Sequence, residues 1–283
     1  VINPFISCTI DSFNRLKPGF EAPICVVTSL GMSPDNPSRN RTILAGLIRD
    51  LDNDKATRIE MRSPNPYTNT YIALAAFYLS MLDGIKACVA SGKDLKALEA
   101  EISKEAGVEG FYLETDRQYR TEEDVFEDFT AEERDHLFGK PPATVWENMC
   151  AFEKYPEKLA VLTDSGILKK EYAESFKQGA LIRWQTELLT RIIPENYQKV
   201  IKAKRLHSQD SSTDLDLALW NKIQNLRTKL AKDSFDKSSI FTCIRKAIAE
   251  GDYDTASAKQ IEMAEVMLEL RRLYNEYKQN IID

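Results

Sequence analysis

Histidine is almost absent from this 283-residue chain, which holds only His136 and His207. An imidazole metal centre or a Ser-His-Asp triad needs histidine beside specific partners, so the chemistry must rest on other groups. Cysteine is sparse too: Cys8, Cys25, Cys88, Cys150 and Cys243 are widely spaced and form no C-x-x-C pair. That odd number suits reduced cytosolic thiols, not a disulfide framework or a zinc site, and the expected compartment is the cytoplasm. Basic excess is lacking, since 38 Lys and Arg face 44 Asp and Glu for a net charge of −6, which speaks against a nucleic-acid partner. No charged n-region precedes an apolar one at Val1-Ile2-Asn3-Pro4, so no signal peptide is expected. The longest apolar stretch, Tyr71 to Leu82, has twelve residues before Asp83. A membrane span needs about 20. The stretch is therefore read as a core helix, apolar nearly all round, that continues to about Ala90 and stops at Ser91-Gly92, with no membrane partner.

What is present is an ordinary globular composition, 43% hydrophobic and 29% charged, with length for one or two cores. The most informative residues are Arg58-Ile59-Glu60-Met61-Arg62. In a strand, alternation sends the three charges to one face and the two apolar side chains to the other, so Ile59 and Met61 are expected to be buried and Glu60 and Arg62 to share a surface. A carboxylate between two guanidinium groups suits a polyanion or a metal, or else a solvated strand edge with a cross-strand salt ladder. The prolines of Ser63-Pro64-Asn65-Pro66 end the strand, and Thr68-Asn69-Thr70 offers helix-capping chemistry before the apolar run. Upstream, Ile24 to Thr28 and Thr42 to Arg49 read as strands, and Leu30 to Ser38 as a loop. Residues 91–200 read as helical and polar, and the acidic stretch Glu114 to Asp135 as a solvated face.

Three motifs in order resemble the glutamine synthetase family. Arg58 to Lys86 resembles its R-I-E-x-R-x-P-D-P and N-P-Y helix ending in G-L-D-G-I. Ser12 to Pro23, SFNRLKPGFEAP, resembles its S-Y-K-R-L-x-P-G-[FY]-E-A-P loop, and Arg39-Asn40-Arg41-Thr42 its R-N-R-S. Pro141 to Met149 resembles the opening of a late family helix, and Glu171-Tyr172 with Arg183-Trp184 the helix after it. The resemblance implies a fragment of a catalytic domain that makes glutamine from glutamate, ATP and ammonium through γ-glutamyl phosphate. It also implies a homo-oligomeric ring in which a neighbouring subunit completes each site. Both chemical steps pass through crowded negative charge that Arg and Mg²⁺ or Mn²⁺ neutralise.

By that resemblance Arg15 binds glutamate, Glu21 closes over the site and takes a proton from ammonium, Arg41 contacts the ATP phosphate, Arg62 stabilises charge at the phosphoryl and glutamyl groups, and Glu60 is a metal ligand. One carboxylate is too little for a hard divalent ion, so the isolated chain is expected to be inactive. Three departures stand out. The Pro23–Arg41 connection is long, a second family Arg falls at Gly46 with Arg49 of opposite strand parity nearby, and N-P-Y becomes Asn69-Thr70-Tyr71. Glu127 stands where some bacterial members carry an adenylylated Tyr, so that control is not expected. The alternative function is a non-catalytic assembly or regulatory relative, or a γ-glutamyl ligase for another amine.

Beyond His207 the polar break Ser208 to Thr213 ends in an N-cap, and Leu219, Ile223, Leu226 and Leu230 follow at helical spacing. A helix through Ile240, Ile244 and Ile248 ends at Gly251, and a last one carries Met263, Val266, Leu270, Leu273 and Tyr277 in line. The expected class is α+β, mostly α: a partial catalytic domain with few strands over 1–206, then a C-terminal helical bundle over 207–283.

Overall fold

The structure is a computed structural model, and it describes residues 27–33, 35–38, 40–62, 69–140, 142–208 and 210–279. Three short strands, β1 (Thr28–Ser29), β2 (Ala45–Ile48) and β3 (Arg58–Met61), form one sheet in the order β1-β2-β3. Strands β1 and β2 are parallel, and β2 and β3 antiparallel. Helices follow: α1 (Thr70–Ser91), α2 (Leu95–Ile102), α3 (Ala131–Leu137), α4 (Val145–Lys154), α5 (Pro156–Thr163), α6 (Lys170–Glu187), α7 (Ile193–Lys202), α8 (Asp214–Ala231), α9 (Ile240–Glu250) and α10 (Tyr253–Gln279). The class is α+β and mostly helical. Two compact units divide the chain, Val1–Ala143 with Asn148–Ser175, and Thr144–Glu147 with Phe176–Asp283. Packing thus groups residues 176–206 with the C-terminal helices, ahead of the boundary expected at 207.

In the first unit, Val27, Ile43, Val125 and Phe138 form a buried cluster flanked by Phe129 and Leu137. It ties the strands to a segment nearly a hundred residues later. The stretch from 103 to 130, expected to be helical, contains no helix of its own. Backbone pairing orders it instead: Thr28 N donates to Tyr119 O at 2.7 Å and Thr121 N to Thr28 O at 3.0 Å. Lys104, only 7% exposed, reaches the carbonyls of Thr115 and Arg117, each at 2.9 Å. Its three donors satisfy carbonyls that would otherwise be stranded in an irregular turn.

Helix α1 starts and stops where its sequence dictates. The Asn69 side chain accepts from Tyr71 N and Ile72 N, and Gly92, with φ of 67°, supplies the left-handed C-cap. Its burial departs from expectation. Only Ala73, Ala76 and Leu79 are buried, and α5 packs on α1. Tyr71, Tyr78 and Val89 are 86%, 67% and 77% exposed. Apolar composition told how much the helix wants to be covered, not how many elements the described residues provide to cover it. By length and composition α1 is also apolar enough to cross a membrane.

In the second unit, α6 runs into α7 through a π turn at Leu188–Ile192. Pro194 lacks the N–H that would continue the i to i−4 ladder there. Helix α8 is capped by a reciprocal Thr213–Asp216 box. Helices α8, α9 and α10 pack on one another, burying Leu219, Ile223, Leu230, Ile244, Met263, Leu270 and Tyr277. The Trp184 indole donates to the buried Gln260 amide oxygen at 2.7 Å, and the Thr144 and Ser257 hydroxyls pair at 2.6 Å.

Candidate active site

Strand β3 carries the site, and the register of β2 against β3 decides what faces what. Glu60 lies across from Gly46, Ile59 from Leu47 and Met61 from Ala45. Arg62 N donates to Leu44 O at 2.9 Å, extending the ladder one residue. Directly opposed residues share a face, so Glu60 and Arg62 look out on the same side as Leu44 and Gly46. The Arg62 Nη1 reaches Glu60 Oε1 at 3.0 Å, with the two side chains 28% and 36% exposed. The alternation therefore holds for the charged pair.

Burial of the other face does not. Met61 is half-buried, but Ile59 is 61% exposed, because β3 is the outer strand of this sheet and faces only Leu47 there. Glu60 is also not clasped from both sides: the exposed Arg58 donates its Nη1 to Ala56 O at 3.1 Å. Arg15 and Glu21 lie outside the described residues.

Arg41 is exposed and sits three residues before Leu44, at the end of the sheet where Arg62 leaves it. Its two neighbours are clamped. Asn40 Oδ1 accepts from Thr42 N at 2.8 Å and from Thr42 Oγ1 at 2.7 Å. Asn40 Nδ2 donates to Glu123 O at 2.6 Å, and Val125 N donates to Thr42 Oγ1 at 3.0 Å. Within the long connection ahead of Arg41 the described residues fold back as a tight turn, with Met32 N donating to Asn36 O at 3.1 Å. Gly31 adopts φ of 84°, and a Cβ there would sit 2.7 Å from Ser38 N, so the turn requires glycine.

Glu122 holds the start of that connection. Its Oε1 accepts from Leu30 N at 3.0 Å and Gly31 N at 3.1 Å, and its Oε2 from the buried Ser29 hydroxyl. Arg120 completes the arrangement, donating Nε to Glu122 at 3.3 Å and Nη2 to Gly31 O at 2.9 Å. Sequence reasoning took this acidic stretch for a solvated face. The signal it missed is that Val125, inside the run, and Phe138, just beyond it, are apolar enough to anchor it to the core.

A divalent ion is implied by the resemblance, and the described donor set does not fit one. Among the described residues no three His, Cys, Asp or Glu side chains cluster, and the Glu60 carboxylate already receives Arg62. Mg²⁺ and Mn²⁺ need several oxygen ligands, which the described residues do not gather. Gly46 leaves the place across from Glu60 without a side chain, while Arg49, one residue beyond β2, has the strand parity of Leu47 and Ala45.

Residues 1–110 match the family described as glutamine synthetase, catalytic domain. That stretch of the chain is similar to glutamine synthetase catalytic domains. The chain is 35% identical over 138 residues to the glutamine synthetase of Vibrio alginolyticus and 36% identical over 138 residues to that of Rhizobium leguminosarum bv. viciae, each match covering 45% of this chain and 28% of the relative. It is 34% identical over 133 residues to the glutamine synthetase of Streptomyces coelicolor, covering 43% of this chain and 27% of the relative. The match thus spans little more than a quarter of the length of these glutamine synthetases. It takes in β1 to β3, α1 and Arg41, Glu60 and Arg62.

Proposed function

We propose that the protein to which this chain contributes joins glutamate to ammonia at the expense of ATP, through γ-glutamyl phosphate. The observation that carries the reading is the pairing of Glu60 and Arg62 on one face of β3, within the segment that matches glutamine synthetase catalytic domains and at the same end of the sheet as Arg41.

A guanidinium has five N–H donors, and Arg62 spends one direction on Glu60. The remaining donors suit oxygens on which negative charge grows as a phosphoryl group moves. Glu60 fixes the rotamer of Arg62, which lowers the cost of ordering it when substrate arrives. Arg41, on its clamped backbone, meets the transferring phosphate of ATP from the β2 side. Arg15 grips the glutamate carboxylate, and Glu21 binds ammonium and accepts its proton. The isolated chain is inactive in this reading, since metal-binding carboxylates beyond Glu60 and the rest of a ring-shaped homo-oligomer would come from outside it. The helices after residue 206 act as a bundle appended to the catalytic part, in a cytoplasmic enzyme.

Gly46 across from Glu60, where the family places an Arg, favours a second reading in which the domain is a non-catalytic relative or uses another amine. One assay separates them. In the whole protein, phosphate release that requires glutamate, ATP and ammonium together supports the ligase. Release that responds to a larger amine and not to ammonium moves the substrate class. No release with any amine, from protein of correct oligomeric size, overturns the ligase reading.

A further inference from the structure

Arg41 sits at the middle of a turn whose two flanking side chains grip each other and a distant segment. Asn40 Oδ1 accepts from Thr42 N at 2.8 Å, an Asx turn that closes around Arg41, and from Thr42 Oγ1 at 2.7 Å. The other arm of the Asn40 amide donates to Glu123 O at 2.6 Å, and Thr42 Oγ1 accepts from Val125 N at 3.0 Å. Val125 is fully buried in one cluster with Ile43, the residue after Thr42, so the turn is fastened to the core. At its start, Asn40 N donates to Ser38 Oγ at 3.3 Å, and the Ser38 hydroxyl pairs with that of the buried Ser29. Each flanking side chain is used in both senses. Asn40 accepts and donates, and so does Thr42, whose hydroxyl gives its proton to Asn40 and receives the Val125 amide.

We infer, resting on the ligase reading, that Asn40 and Thr42 are positioning residues that fix the approach of the Arg41 guanidinium to the transferring phosphate. A charge-stabilising donor works when it is held in place before the charge develops. A displacement of about 1 Å can cost about 100-fold in rate. Stability alone is a poor reason for the tether, because the Asn40–Glu123 bond is exposed and water can serve both ends at little net loss. Water does not replace the direction in which the turn holds Arg41. The same pairing accounts for the residue types. Asp at position 40 would keep the turn and lose the donor to Glu123 O, and Val at position 42 would lose both bonds of the hydroxyl.

The test is a double-mutant cycle in the whole protein, reading phosphate release that depends on glutamate, ATP and ammonium in the parent, Asn40→Ala, Arg41→Ala and the two combined. Asn40→Ala is expected to lower turnover at least about tenfold. Once Arg41 is Ala, the same change is expected to alter turnover less than about twofold, because a residue that acts through Arg41 has nothing left to place. A purely structural loss removes folded protein and would multiply equally in both backgrounds. Should Asn40→Ala fold poorly, Thr42→Val gives a second cycle with the same Arg41-dependent loss, and Thr42→Ser, which keeps the hydroxyl, should recover most of it. Equal fold losses with and without Arg41, parent-like turnover in both Asn40→Ala and Thr42→Val, or an Arg41→Ala protein as active as the parent would overturn the inference and leave the ligase reading standing. A parent that releases no phosphate with the three substrates together removes both, so the two failures are told apart.

Discussion

Replacing Glu122 by Ala should loosen the turn that leads to Arg41. The carboxylate takes hydrogen bonds from Leu30 N, Gly31 N and Ser29 Oγ and an ion pair from Arg120. Gly31 is buried and Leu30 half-buried, so their amides have little access to water once the acceptor is gone, whereas the fully buried Ser29 hydroxyl keeps the Ser38 hydroxyl as a partner. A stranded donor costs about 1–3 kcal/mol. The Glu122 side chain is 20% exposed, so water can serve some of the released groups, and counting two donors as stranded gives about 2–6 kcal/mol for Glu122→Ala. Glu122→Gln keeps an acceptor for the two amides and should cost about 1 kcal/mol. Amide hydrogen exchange reads this locally: the Leu30 and Gly31 amides should exchange at least about tenfold faster in Glu122→Ala, while amides of α8 to α10 stay unchanged. Exchange at Leu30 and Gly31 that matches the parent, with a stability loss under about 0.5 kcal/mol, would refute the clamp.

Other outcomes follow from the second unit. Ile223 is fully buried on α8, so Ile223→Ala should cost about 2–5 kcal/mol, read as a lowered urea midpoint for the C-terminal helices. The Asp216 carboxyl is held below its usual range by hydrogen bonds from the Thr213 amide and hydroxyl, with His207 nearby adding to the effect. A carboxyl lowered in the folded state contributes stability that is complete above the ordinary Asp value of about 3.9 and is lost as pH falls through the lowered one. Thermal melts at pH 6 and pH 3 should therefore show the gap between parent and Asp216→Asn narrowing in acid, and a gap that stays constant would contradict this.

The C-terminal helices were legible because their signals are local. Thr213 and Gly251 mark ends by hydrogen-bond chemistry, and the Leu219–Leu230 and Met263–Tyr277 spacings mark a face that packing then uses. The shared face of Glu60 and Arg62 was legible for the same reason, since strand parity is a property of the chain itself. Burial was not. Ile59 and the α1 stripe are apolar, yet their exposure depends on which other segments lie across from them, and no periodicity records that. The role of Glu122 and of the Asn40–Thr42 clamp was invisible for a related reason: their partners lie about ninety residues apart, and an acidic run has the same composition whether it is solvated or docked.

Arg62 gives the most direct test of the ligase reading. In the whole protein, phosphate release dependent on glutamate, ATP and ammonium should fall at least about 100-fold in Arg62→Ala, because a charge-stabilising donor is removed from the developing phosphoryl oxygens. Arg62→Lys should recover only part of it, since one ammonium cannot serve both Glu60 and the phosphoryl group as a planar guanidinium does. Turnover unchanged in Arg62→Ala would contradict the assignment of this strand as catalytic.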